Sequence, residues 1–240
     1  MNRIVRCVVA ALTIGSSAAA ASAADLAPVP VLPDAFQPWQ VRLRAVGVIP
    51  TSGGIVQTVP AGAFVSAGLK ASDAVIPELD VSYFFTRNIA VEAICCVSYH
   101  KLYLDGGALN GQQAASTWLF PPTVLLQYHW TNFGQFQPYI GVGGNYTVYF
   151  SQHATEPLLN TVAIQNSWGV AGQIGFDYMI DEHWGFNFDV KKILMNPHVY
   201  GTVSPGVASI SGQGNISPWM IGGGITYRFG GPTAAVVAKY

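Results

Sequence analysis

Charged residues are scarce in this 240-residue chain: Asp, Glu, Lys and Arg make up only 10% of it and nearly cancel, leaving a formal net charge of -1. That balance removes the electrostatic case for nucleic acid, which needs a basic surface. Cysteine is scarce too, limited to Cys7, Cys95 and Cys96. No disulfide scaffold or metal site follows from so few. Neighbours on a strand point to opposite faces, so a bond between Cys95 and Cys96 would be strained, and both read as small buried hydrophobes. Beyond the N-terminal leader there is also no run of the ~18 apolar residues that a membrane helix needs. Yet half the chain is hydrophobic. Apolar content without a helical span leaves two readings: a soluble β protein with a large core, or a closed barrel whose greasy side faces outward.

The leader has the pattern of a secretory signal. Arg3 and Arg6 precede an apolar run from Cys7 to Gly15, and small residues fill Ser16 to Ala24. Ala21-Ser22-Ala23 fits an A-x-A cleavage site, which makes 1–23 the signal and Ala24 the first mature residue; cleavage after Ala24 is the near alternative. Residues 24–38 are proline-rich and expected to be extended.

Beyond residue 38 the chain alternates with period two. In residues 166–195, Trp168, Val170, Ile174, Phe176, Tyr178 and Ile180 share one face while Ser167, Gly169, Ala171, Gln173, Gly175 and Asp177 share the other. Beyond Asp181-Glu182-His183, Trp184, Phe186, Phe188 and Val190 resume the greasy face and Gly185, Asn187, Asp189 and Lys191 the polar one. Aromatics near both ends with aliphatics between them are what a lipid-facing strand presents to its two interfaces. The same pattern predicts strands over 39–48, 74–85, 89–101, 117–130, 137–150 and 215–229, which brings the total to eight. Polar stretches at 49–73, 102–116, 151–165 and 196–214 read as long loops, and short turns at 86–88, 131–136 and 181–183 alternate with them. An even strand number with alternating long and short connections predicts an all-β, eight-stranded antiparallel up-and-down transmembrane barrel over 39–229, with both termini in the periplasm. Residues 230–240 form a C-terminal extension. A soluble barrel of lipocalin type would place the apolar face inside. Here the inward face carries the sparse charges, Arg42, Arg44, Lys191 and Arg228 against Glu78, Asp80, Glu92, Asp177 and Asp189. Paired, they would rigidify the lumen; unpaired, they would select a permeant. Lys192 falls on the outer face, placed to snorkel toward lipid phosphates.

In its ordered short motifs the chain closely resembles the outer membrane protein W (OmpW) family. The stretches are Asn88-Ile89-Ala90-Val91-Glu92, Phe120-Pro121-Pro122-Thr123, Gln137-Pro138-Tyr139-Ile140-Gly141-Val142-Gly143, Asn145-Tyr146-Thr147, Asn166-Ser167-Trp168-Gly169, Gly172-Gln173-Ile174-Gly175-Phe176-Asp177-Tyr178 and Tyr227-Arg228-Phe229. The resemblance implies an outer-membrane barrel forming a narrow channel for small hydrophobic molecules. It also implies an apolar constriction at Ile94, where the facing strand-seven position is Lys191 rather than an aromatic. Ile94 as plain interior filling is the alternative, since eight strands leave barely room for side chains. Members tend to stop at the last strand's Phe, so recognition by the barrel-assembly machinery would rest on Phe229 or on Tyr240.

Pro121-Pro122 removes two consecutive backbone donors, which suggests a lateral opening beside Trp118 and Phe120, or a strand start at the outer rim. Implied partners are outer-membrane lipid and lipopolysaccharide, small hydrophobic compounds and the assembly machinery, with no cofactor. Phe64, Leu102, Leu104, Leu158 and Leu159 would form a greasy mouth. His100, His153 and His198 fall near the outer rim without a partner at catalytic spacing, so no enzyme is expected. A structural or receptor barrel, whose loops bind phage, toxins or host, is the competing reading.

Overall fold

The computed structural model describes residues 36–51, 53–59, 67–106, 109–203 and 208–231. The expected signal at residues 1–23, most of the proline-rich segment, Phe64 and residues 232–240 lie outside this set. Among the described residues fifteen strand segments join into eight staves. The first stave is β1 (Trp39–Pro50) and β2 (Gly53–Val59), the second β3 (Ala67–Ala71) and β4 (Ala74–Phe84), the third β5 (Ile89–Cys96) and β6 (Ser98–Asp105). The fourth is β7 (Gln113–Phe120) and β8 (Thr123–His129), and the fifth is β9 alone (Phe136–Ala154). The sixth is β10 (Leu159–Ile164) and β11 (Ser167–Met179), the seventh β12 (Trp184–Met195) and β13 (His198–Val203), the eighth β14 (Ala208–Gly214) and β15 (Pro218–Phe229).

Every neighbouring pair is antiparallel, and the lower ring closes on itself through β1, β4, β5, β8, β9, β11, β12 and β15 back to β1. Burial is inside out relative to a water-soluble barrel: Val75 and Trp168 are 80% and 78% exposed, whereas Arg42 is 0% exposed. That inversion suits a wall facing lipid. Ring pairs mark both edges of the apolar band. Trp39 with Tyr83 and Trp184 with Tyr227 lie at the end with short turns, and Tyr99 with Trp118 and Tyr146 with Trp168 at the other. The short turns are locally encoded. Thr86 Oγ1 accepts the Asn88 and Ile89 amides, and Asp181 Oδ1 accepts those of His183 and Trp184 at 2.7 and 2.6 Å. These amides hold the Asp181 carboxyl below the usual carboxylate range.

The long connections differ from the sequence expectation. Much of 49–73, 102–116, 151–165 and 196–214 is strand, namely β2, β3, the ends of β6, β7 and β9, β10, β13 and β14. They build an upper tier that continues the barrel. β9, at 19 residues, extends about 60 Å, or about 45 Å along a barrel axis tilted by ~40°, against an apolar band of ~25 Å. Above the band the outer wall meets water, so the alternation reverses: Leu69, Ala71, Leu102, Ala115, Tyr149, Ile164 and Val199 point inward, and Lys70 and Lys101 point out.

Cys95 and Cys96 carry free thiols; Cys96 is buried, but Cys95 is exposed on the lipid side, because strand parity sends neighbours to opposite faces. Lys192 donates to the Ser217 carbonyl at 2.7 Å and lies 4.8 Å over the Trp219 ring, so its ammonium is held at the wall.

Candidate functional site

Inward residues change from polar to apolar at one height around the barrel. Arg44 is followed by Val46, Glu78 by Ile76, Glu92 by Ile94, Gln127 by Leu125, Gln173 by Ala171 and Lys191 by Ile193. The lower half is a plug of buried ions. Arg42 donates from Nε and Nη2 to Asp177 at 3.1 and 2.7 Å and pairs with Glu92. Arg44 meets Glu78 at 2.9 Å, Asp80 at 2.6 Å and Asp189 at 3.3 Å. Lys191 Nζ donates to Glu78 at 3.2 Å, and Arg228 reaches Asp177 at 3.4 Å. Neutral donors complete two of the carboxylates: Gln127 and Gln173 give amide hydrogens to Glu92, and Asn187 gives one to Asp177, whereas Glu78 Oε2, Asp80 Oδ1 and Arg44 Nε have no hydrogen bond among the described residues. Charges so deeply buried are tolerable because each has an opposite charge in contact.

Tyr139 is a plug residue that the pattern of lipid-facing residues missed. Its hydroxyl donates to Asp189 at 3.1 Å, its ring stacks on His129, and the Arg42 guanidinium lies 4.9 Å above it. The available signal was its parity with Gly141 and Gly143 on the inward face. Gly175, directly across the ladder, makes the room: a Cβ there would lie 2.6 Å from the Tyr139 hydroxyl oxygen.

The expected constriction pair is divided between the two halves. Lys191 belongs to the plug, while Ile94 packs in an apolar cluster with Val46, Val48, Ile76, Leu125, Ile193 and Met195. Above that cluster is an interior cavity lined by residues including Val48, Cys96, Leu119, Pro121, Tyr149, Met195 and Met220. Its volume is about 30 Å³, so it is narrow. Leu102 lines it, and Leu104, Leu158 and Leu159 belong to the apolar clusters of the upper tier.

The hydrogen-bond ladder beside this cavity is interrupted. The ladder between the third and fourth staves stops at Ile94 with Thr123 and restarts at Ser98 with Leu119, in unchanged register. His129 N donates to Asn88 O, and hydrogen-bonding pairs alternate along the ladder. By that alternation Cys96 and Pro121 should bond, but Pro121 has no N–H. Its carbonyl instead accepts from Thr123 Oγ1 at 3.0 Å and Asn145 Nδ2 at 3.2 Å. On the third stave's other side, Phe85 N donates to Ile89 O, and the same alternation sets Val97 against Pro77, again without a donor. Pro122, by contrast, accepts from Tyr146 N at 3.1 Å, so the fourth stave stays joined to the fifth. The interruption lies just below the Tyr99 and Trp118 rings, with Trp118 and Phe120 on the outer side of the fourth stave.

His100 is buried on β6, His153 is exposed on β9, and His198 stacks on Tyr200. Among the described residues no group of His, Cys, Asp or Glu is placed to hold a metal.

A lipid-facing exterior, a buried ionic plug and an apolar upper lumen define a small transmembrane β-barrel of the outer-membrane type. A family model described as the OmpW family matches residues 38–229, and the chain belongs to that family. The uncharacterized outer-membrane protein y4mB of Sinorhizobium fredii is 42% identical over 233 residues, 95% of this chain and 97% of the relative. Outer membrane protein W of Vibrio cholerae is 34% identical over 163 residues, 63% of this chain and 72% of the relative. The crystal structure of OprG from Pseudomonas aeruginosa matches with a TM-score of 0.74 at 26% identity, covering 81% of this chain and 97% of that one. The chain is accordingly a protein of the outer membrane.

Proposed function

We propose that this barrel conducts small hydrophobic molecules, collecting them in the apolar upper tier and passing them sideways between the third and fourth staves. The observation that carries the reading is that Cys96 and Pro121 both line the cavity and flank the missing stretch of ladder. A route down the axis would have to part the Arg42 and Arg44 ion pairs, whereas the lateral route needs no ladder hydrogen bond broken at that point. Ile94 floors the cavity region and turns the path outward, while Trp118 and Phe120 meet the molecule on the lipid side. Partners on this reading are small hydrophobic compounds within and outer-membrane lipid and lipopolysaccharide without.

The buried plug also favours a second reading, a structural or receptor barrel that presents its upper connections to phage, toxins or host. One experiment separates the two: uptake of a small apolar compound by cells carrying no copy, the native copy, or Ile94→Arg at equal surface abundance. Faster uptake with the native copy, lost in the variant, is the expected result. Equal uptake in all three would overturn conduction and leave the receptor reading.

A further inference from the structure

One wall of the cavity is not apolar, and the conduction reading does not use it. Ser98 and His100 are two residues apart on β6 and face inward together, and Thr117 pairs with His100 across the ladder. All three line the cavity among residues such as Ile76, Leu119, Ile193 and Met220. The hydrogen-bonding capacity of this trio is only partly used. Thr117 Oγ1 lies 3.2 Å from the Trp118 carbonyl and 3.3 Å from the Phe150 carbonyl, and its one proton is shared between them. His100 Nδ1 lies 2.6 Å from the Ser72 carbonyl, and a carbonyl can only accept, so the ring proton sits on Nδ1. Nε2 of the neutral ring is therefore a bare acceptor, and no hydrogen bond to it occurs among the described residues. Ser98 Oγ likewise has no partner among them.

We propose that the cavity selects compounds that carry one hydroxyl on an apolar body, with His100 Nε2 accepting the hydroxyl proton and Ser98 donating to its oxygen. The proposal rests on the conduction reading and names its ligand class. A saturated hydrocarbon of the same shape fills the apolar walls but leaves both polar groups unmet in a dry site, whereas an alcohol or phenol satisfies both. Met195 and Met220, which also line the cavity, have the side-chain flexibility to open a narrow space around such a body.

The test uses the full barrel in lipid nanodiscs with methionine methyl groups labelled with carbon-13, at pH 8 to keep His100 neutral. Met195 and Met220 report cavity occupancy; Met179, at the opposite end of the sixth stave, is the control. The probes are cyclohexanol and methylcyclohexane, equal in heavy atoms. With each probe's lipid partition divided out, cyclohexanol is expected to bind roughly five- to tenfold tighter. His100→Leu should bring that ratio to about one while methylcyclohexane still shifts Met195 and Met220, and Ser98→Ala should lower it in part. A ratio near one in the native barrel, or one unchanged in both variants, overturns the proposal. If neither probe shifts Met195 or Met220, the conduction reading falls as well, which distinguishes the two failures.

Discussion

Replacing Arg42 with methionine should lower the barrel's unfolding free energy by about 3–5 kcal/mol, the usual cost of removing one partner from a buried ion pair. Methionine keeps much of the side-chain volume, so the loss is electrostatic rather than a cavity. The guanidinium bonds both oxygens of Asp177, touches Ser82 Oγ at 3.3 Å and pairs with Glu92. Without it, Asp177 keeps Gln40 at 3.3 Å, Asn187 at 2.9 Å and Arg228 at 3.4 Å. Glu92 keeps only the amides of Gln127 at 2.8 Å and Gln173 at 3.0 Å, with no other ion pair among the described residues. The stranded charge is therefore on Glu92. Adding Glu92→Gln should recover about 2–3 kcal/mol, since a neutral amide loses little in that site. Urea unfolding in lipid vesicles, followed by tryptophan fluorescence, measures all three proteins. If Arg42→Met unfolds within about 1 kcal/mol of the native barrel, or if the double variant is no better than the single, the plug is not a dry ionic network.

Other changes test other parts of the account. Pro121→Ala returns an N–H opposite Cys96; it should stabilise by about 0.5–1.5 kcal/mol in the same urea assay and slow uptake of apolar compounds, and unchanged uptake would mean that the gap is not used. Gly175→Ala places a Cβ 2.5 Å from the Phe188 carbonyl oxygen and 2.6 Å from the Tyr139 hydroxyl oxygen. It should cost about 1–3 kcal/mol, and an unshifted midpoint would deny Tyr139 its place in the plug. Gln152 stands in for the missing ladder between β9 and β10, accepting from Ile164 N at 2.5 Å and donating to Ile164 O at 3.0 Å. Gln152→Ala should speed hydrogen exchange of the Ile164 amide by about five- to tenfold, and unchanged exchange would show that another group guards that edge.

The membrane half of this fold was legible because lipid and lumen impose opposite demands on alternate residues. Trp168, Val170 and Ile174 could only face outward and Arg42, Arg44 and Asp177 only inward, so parity alone placed them. The upper tier was not legible by the same rule. In β13, Val199 and Val203 are buried and His198 and Tyr200 exposed, an apolar-inward order that the lipid-facing pattern reads as loop. Pro121 and Pro122 were visible as missing donors, but the contribution of Pro77 from the second stave needed the ladder register, which links residues far apart in sequence. The partners of each ion were also out of reach, because parity says that Arg42 points inward and not that Glu92 and Asp177 meet it there. Ser98 and His100 sharing a face followed from parity, while the apolar cavity around them came only from closure of the barrel.

The most direct measurement of the route is photolabelling of outer membranes with a small aliphatic diazirine, with adducts mapped residue by residue. Lateral conduction predicts adducts on Met195 and Met220 in the cavity and on Val97 and Phe120 at the gap, with Gln127, Tyr139 and Asn187 in the plug unmarked. Adducts on those three plug residues would establish an axial path, and a lumen free of adducts would remove conduction altogether.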